Sequence, residues 1–176
     1  ASVDIYDLVL DVIDLRSFSN LWYWIALAVL WSSASHWILG VPNDLILRAR
    51  RQGGEAEHDV EMIVQVNMRR ILGIARTAAV PIFAFAGFLL TMLVLMGFWY
   101  DIEFAQAVFF LVAPMTLVGW LSVYTATRIE GGEDHSAALY RRLMIHRRLV
   151  QVLGMVSIFI TALWGMYQNL NISILN

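Results

Sequence analysis

The sequence predicts an all-α integral membrane protein. Four transmembrane helices form two tandem hairpins, joined by long cytoplasmic helical extensions and preceded by an N-terminal amphipathic helix. Three observations carry this. Residues 78–99 run twenty-two positions without a charge, enough helix at ~1.5 Å per residue to cross a ~30 Å hydrocarbon core. The 176 residues are 60% hydrophobic and 15% charged, with mean hydropathy +0.67, where a soluble domain carries ~25% charged residues. Arginine-bearing stretches alternate with apolar runs along the chain, so each run has a basic end and an aromatic or acidic end.

Length suits a single membrane domain over residues 1–176. There is no cysteine, which excludes disulfides, Cys-ligated zinc and iron–sulfur ligation within these residues. The twelve basic residues are all arginine. The N-terminal stretch is acidic and lacks the pattern of a cleavable signal, so membrane insertion is expected to use the first span itself.

Residues 2–15 form the amphipathic segment. Asp4, Asp7, Asp11 and Asp14 recur at spacings of three and four, which places them on one helical face opposite Ile5, Leu8, Val12 and Leu15. The segment is too short and acidic to span. It lies at the interface or against a neighbouring subunit, or is simply solvated.

Span one covers residues 21–39. It opens on Trp22, Tyr23 and Trp24, an interfacial aromatic cluster, and ends at Gly40 and Pro42. A polar loop with Arg48, Arg50 and Arg51 follows, with Gly53 and Gly54 as a turn. Residues 55–76 read as a helix with acidic first turns and Arg69 and Arg70 late. It is expected to run on into span two, residues 78–99, with a bend near Pro81.

Tyr100 to Glu103 make a tiny turn into span three, residues 104–125, with Pro114 inside. A second polar loop holds Arg128, Glu130, Gly131, Gly132, Glu133, Asp134 and His135. A basic helix with Arg141, Arg142, Arg147 and Arg148 then leads into span four, residues 149–170.

The loop between spans one and two holds six arginines and the loop between spans three and four holds five, leaving only Arg16 on the other side. The positive-inside rule places both long loops in the cytoplasm and both termini in the periplasm of a bacterial inner membrane. A shift of 78 residues superimposes Arg50 on Arg128, Gly53-Gly54 on Gly131-Gly132, Arg69-Arg70 on Arg147-Arg148 and Gly87 on Gly165. Either the hairpins are duplicated, or turn chemistry and charge bias make the two loops alike.

Chemistry-bearing groups are few. Residues 78–99, 104–125 and 149–170 contain none of the mid-membrane ionisable side chains by which ion-coupled transporters work. No phosphate-binding loop, HExxH or GxSxG motif occurs, so no catalytic residue is assigned, nor any cofactor or metal. His36 and His146 stand near the cytoplasmic ends of spans one and four. They are the one pair that could ligate a b-type haem, with interfacial, hydrogen-bonded histidines as the competing reading.

Arg69, Arg70, Arg141, Arg142, Arg147 and Arg148 compose a basic patch, for anionic headgroups or for an acidic protein partner. Interleaved acidic residues speak against nucleic acid. Gly154, Ser157, Thr161 and Gly165 form a ladder of small residues on one face of span four, the kind that lets helices approach closely in lipid.

Four stretches carry a family resemblance: Arg16-Ser-Phe-Ser-Asn-Leu-Trp, Leu30-Trp-Ser-Ser-Ala-Ser-His-Trp-Ile-Leu-Gly-Val-Pro, Gly154-Met-Val-Ser-Ile-Phe and Trp164-Gly-Met-Tyr-Gln-Asn-Leu. Over most of its length the chain resembles a small family of alphaproteobacterial inner-membrane proteins labelled "component of SufBCD complex". The resemblance implies a four-span protein linked to iron–sulfur cluster assembly, and implies no catalytic residue.

Taken together, these features point to a non-enzymatic accessory or assembly subunit of a larger inner-membrane complex, respiratory, photosynthetic or iron–sulfur assembly related. Its partners would be lipid with anionic headgroups and other membrane-protein subunits. Two alternatives stand beside it: a homo-oligomeric passive channel lined by Ser32, Ser33 and Ser35 or by Thr161, and a b-type cytochrome through His36 and His146.

Overall fold

A computed structural model describes residues 21–175 of the chain. The segment 2–15 with Asp4, Asp7, Asp11 and Asp14 lies outside the described residues. Within them the fold is helical apart from one tiny hairpin. Helix α1 covers Leu21–His36. Strands β1 (Trp37–Ile38) and β2 (Val41–Pro42) follow, then α2 (Asn43–Gln52), α3 (Gly54–Thr77), α4 (Ala79–Val94) with a π-helical turn at Leu95–Trp99, α5 (Glu103–Glu130) and α6 (Ser136–Leu175).

Among the described residues, three helical stretches are long and apolar enough to cross a membrane: Ala79–Trp99, Glu103–Glu130 and Ala137–Asn171. Helix α1 has 16 residues, about 24 Å of rise. Helix α1 is not among those three, and the stretch predicted as span one, 21–39, is helical only as far as His36. The cause is a two-residue turn in which Leu39 and Gly40 both take positive φ, 50° and 75°. That is the pattern of hairpin turns whose twist matches paired strands. It sets Trp37 against Pro42 and Ile38 against Val41. The turn persists because Ile38, Leu39 and Val41 are all buried.

The polar loop predicted after it is instead α2. Ile46 and Ala49 are buried and Leu45 is half-buried, while Arg48, Arg50 and Arg51 point outward. Burying that apolar stripe stabilises a helix that its short length alone would not. Helix α3 does not continue into α4. The break is at Ala78 (φ −119°, ψ 21°), three residues before Pro81. Pro81 has no N–H to give to the Thr77 carbonyl, and its ring crowds that carbonyl, so the helix resets one turn upstream. The Ala78 N–H still reaches the Ile74 carbonyl and Ile82 restarts the ladder on Ala78. Pro81 then sits in the first turn of α4, where a missing donor costs little.

The proposed repeat is matched only in part. Gly53 and Gly54 both have positive φ, whereas Gly131 has φ −75° and Gly132 φ +122°. The break at Ala78 has no counterpart in α6, where Phe159 stands opposite Pro81 in the 78-residue shift and the helix runs unbroken.

Two packing regions result. At the arginine-bearing end the hairpin, α2, α3, the end of α5 and the start of α6 share one core. It is built from Ile38, Val41, Ile46, Val60, Val64, Ile129, Leu139 and Leu143. The helical extensions thus cover one another rather than projecting freely. In the apolar region, Tyr23, Leu27 and Trp31 of α1 pack against Ala107, Leu111 and Met115 of α5 and Val150, Leu153 and Trp164 of α6. Helix α4 leans on α5 and leaves Val80, Phe83, Phe85 and Phe88 exposed.

Polar links fasten the end remote from the arginines. Trp164 Nε1 donates to Gln106 Oε1 (2.8 Å), and Gln106 Nε2 donates to the Gly97 carbonyl (2.7 Å). The π-helical turn opens that carbonyl to a side chain. Gly97 lets the two segments approach closely: a Cβ there would lie 3.0 Å from the Gln106 backbone nitrogen. The Tyr23 hydroxyl donates to the Ala107 carbonyl at 3.1 Å.

Candidate functional site

The most distinctive surface of the described residues is a basic groove between α2 and α6. It has a volume of 540 Å³ and is lined by Arg50, Ala137, Tyr140, Arg141, Met144, Ile145 and Arg148. Helical spacing explains the α6 wall. Positions 137, 141, 145 and 148 fall on one face, and 140 and 144 beside them. Arg141 and Arg148 are two turns apart, about 10 Å. The α2 wall exists because Ile46 and Ala49 are drawn into the core, which turns Arg50 outward. Arg50, Arg141 and Arg148 have no carboxylate partner among the described residues. The Tyr140 hydroxyl, shielded from solvent, has no hydrogen-bond partner either.

The six arginines of the predicted patch are divided by the fold. Arg141 and Arg148 line the groove. Arg142, one position round the helix, is partly buried and binds Glu133 through both Nε and Nη2. Arg147 is half-buried, with an unbonded Nε. Arg69 and Arg70 stand on the outer face of α3, where Arg69 Nη2 is 3.5 Å from Gln65 Oε1. Arg50, in the stretch predicted as a polar loop, joins the site instead. The only signal that could have found it is the spacing of Ile46 and Ala49, which marks the buried side of α2.

Glu133 is the electrostatic node of the second loop. Hydrogen bonds from Arg142 and Arg128, strongest from Arg142, and the charge of both guanidinium groups hold its carboxyl down to about 2. Beside it Asp134 and His135 pair at 2.7 Å, which lowers the Asp134 carboxyl and raises the His135 imidazole from their ordinary ranges. Arg76 and Glu130 tie the end of α3 to the end of α5 at 2.5 Å.

The two histidines answer to separate partners. His36 is half exposed, with Nε2 3.9 Å from Asp44. His146 is buried, and its Nδ1 shares a 2.8 Å hydrogen bond with Thr125 Oγ1. No group of three or more His, Asp or Glu side chains is placed to hold a metal among the described residues.

The small-residue ladder lies inward. Gly154, Ser157, Thr161 and Gly165 are all buried. A Cβ on Gly154 would sit 2.9 Å from Trp31 Cε3. Thr161 Oγ1 donates back to the Ser157 carbonyl at 2.6 Å, so the hydroxyl is satisfied within its own helix.

No family model matches the chain, and neither the curated proteins nor the solved structures contain a significant match.

Proposed function

We propose that the chain is a non-enzymatic accessory or assembly subunit of a larger bacterial inner-membrane complex, respiratory, photosynthetic or iron–sulfur assembly related. The observation that carries this reading is the outer face of α3. Met62, Ile63 and Val66 are exposed there, between Glu55 and Asp59 on one side and Arg69 and Arg70 on the other. They belong to the helical unit at the arginine end, outside the three membrane-length stretches. An apolar patch rimmed by charges is the usual form of a protein-binding surface.

In this reading α1 is a fourth span, packed by Tyr23, Leu27 and Trp31 beside the apolar lengths of α5 and α6. Both arginine-bearing loops face the cytoplasm and both termini the periplasm. Purification of the tagged protein from its native membrane in mild detergent, with mass spectrometry of the native-gel band, tests the role. Stoichiometric partner subunits support it. A band of this chain alone, at several copies, overturns it in favour of a homo-oligomeric channel. One observation favours that second reading: α1 exposes Ser32 and Ser33 amid apolar neighbours.

A further inference from the structure

The α6 wall of the basic groove does not stop at Arg148. The same face continues into the apolar segment, through Val152, Met155, Val156 and Phe159, all exposed. Positions 141, 145, 148, 152, 155, 156 and 159 recur at helical spacing. Three guanidinium groups with no carboxylate partner among the described residues thus stand at the head of an apolar track about 16 Å long between Arg148 and Phe159. The pairing of guanidinium groups with an apolar track narrows the occupant to an amphiphilic anion, its charged head held by the arginines and its apolar tail by the track.

We propose that this groove binds the headgroup of an anionic glycerophospholipid. Arg50, Arg141 and Arg148 hold its phosphodiester, and the acyl chains run along Val152, Met155, Val156 and Phe159. Arginine is the residue type that grips phosphate oxygens with paired donors. The guanidinium of Arg50 joins α2 to α6 through the lipid, so the bound lipid braces the helical unit against the span. The site rests on reading Ala137–Asn171 as membrane-spanning.

The test uses the full chain, delipidated in a neutral maltoside detergent. It is titrated with short-chain phosphatidylglycerol, short-chain phosphatidylcholine and inorganic phosphate, with binding read by native mass spectrometry and thermal midpoint. Phosphatidylglycerol is expected to bind and to raise the midpoint, with at least about fivefold preference over phosphatidylcholine. The double variant R141Q/R148Q is expected to lose ~30-fold in affinity, and R69Q/R70Q, on the outer face of α3, to keep it. If R141Q/R148Q does not fold, R50Q on the separate helix α2 carries the test, with about fivefold loss.

Equal binding of phosphatidylcholine, unchanged affinity in the groove variants, or equal loss in R69Q/R70Q overturns the site. An equal midpoint rise with inorganic phosphate overturns the lipid assignment in favour of a free anion. A chain that stays soluble without detergent overturns the membrane reading beneath it. A detergent-requiring chain with no lipid preference overturns the lipid site alone.

Discussion

Trp31 and Gly154 meet where α1 lies against α6: a Cβ added to Gly154 would come within 2.9 Å of Trp31 Cε3 and 3.1 Å of Cδ2. The indole ring occupies the space a side chain would need, and it is buried with its Nε1 unbonded. The contact sets how closely these two helices approach. Without water to drive association inside a bilayer, close contact of this kind supplies much of the packing energy.

Gly154→Ile is accordingly expected to destabilise the protein by about 1–3 kcal/mol, the usual cost of overpacking. The measurement is the thermal midpoint in detergent. Gly87→Ala is the matched control, because a Cβ there meets nothing within 4 Å. It should leave the midpoint unchanged or raise it, since alanine is the better helix former. Equal losses in both variants would mean that helix approach at Trp31 does not govern stability.

The hairpin between α1 and α2 provides a second test. Gly40 has φ +75°, and a Cβ on it would lie 2.8 Å from Asn67 Nδ2 of α3. Gly40→Ala should cost about 1–2 kcal/mol from the backbone alone, with Asn67 also forced to move. A chemical-denaturation midpoint that does not fall would show that the turn is not held in this form.

Glu133 makes the stability depend on pH. Its carboxyl titrates near 2 in the folded protein against an ordinary 4.5, chiefly because Arg142 donates to it. A depressed folded value means that the contribution is present in full above the unfolded pKa. It is lost as the pH falls from about 4.5 towards 2. Glu133→Gln should be less stable than the parent at pH 7, and the difference should shrink on acidification through that window. Parallel pH profiles for the two proteins would remove Glu133 as the source.

Topology is open to labelling because the sequence has no cysteine. Tyr100→Cys is placed in the exposed turn between α4 and α5, and Glu55→Cys at the exposed start of α3. A membrane-impermeant thiol reagent applied to intact spheroplasts should modify the first and spare the second. The reverse pattern would invert the orientation, and labelling of both would deny that a membrane separates them.

Much of the architecture was legible from the chain itself. The run from 78 to 99 and the long apolar stretches of α5 and α6 announce themselves, because hydropathy is a local sum over consecutive residues. The end of α1 was not: Leu39 and Gly40 adopt positive φ only because Ile38, Leu39 and Val41 find a core built from α2, α3, α5 and α6. The placement of the bend was legible only to within a turn. Proline names the lost hydrogen bond, but the break falls upstream at Ala78, whose altered φ and ψ absorb the clash.

The candidate site divides along the same line. Composition and order alone pointed to a helical protein with apolar runs and a basic end, since those properties depend on neighbours in sequence; of the four spans they suggested, three are membrane-length helices in the described residues. Only the tertiary structure decided which arginines act together. Arg142 and Arg141 are adjacent in the chain, yet 100° of helical rotation sends one to Glu133 and the other to the groove. Arg50 reaches that groove from ninety residues away, because burial of Ile46 and Ala49 fixes which way α2 faces. Charge content is a property of a segment. Charge geometry depends on how each helix is turned about its axis, and packing between segments far apart in the chain sets that turn.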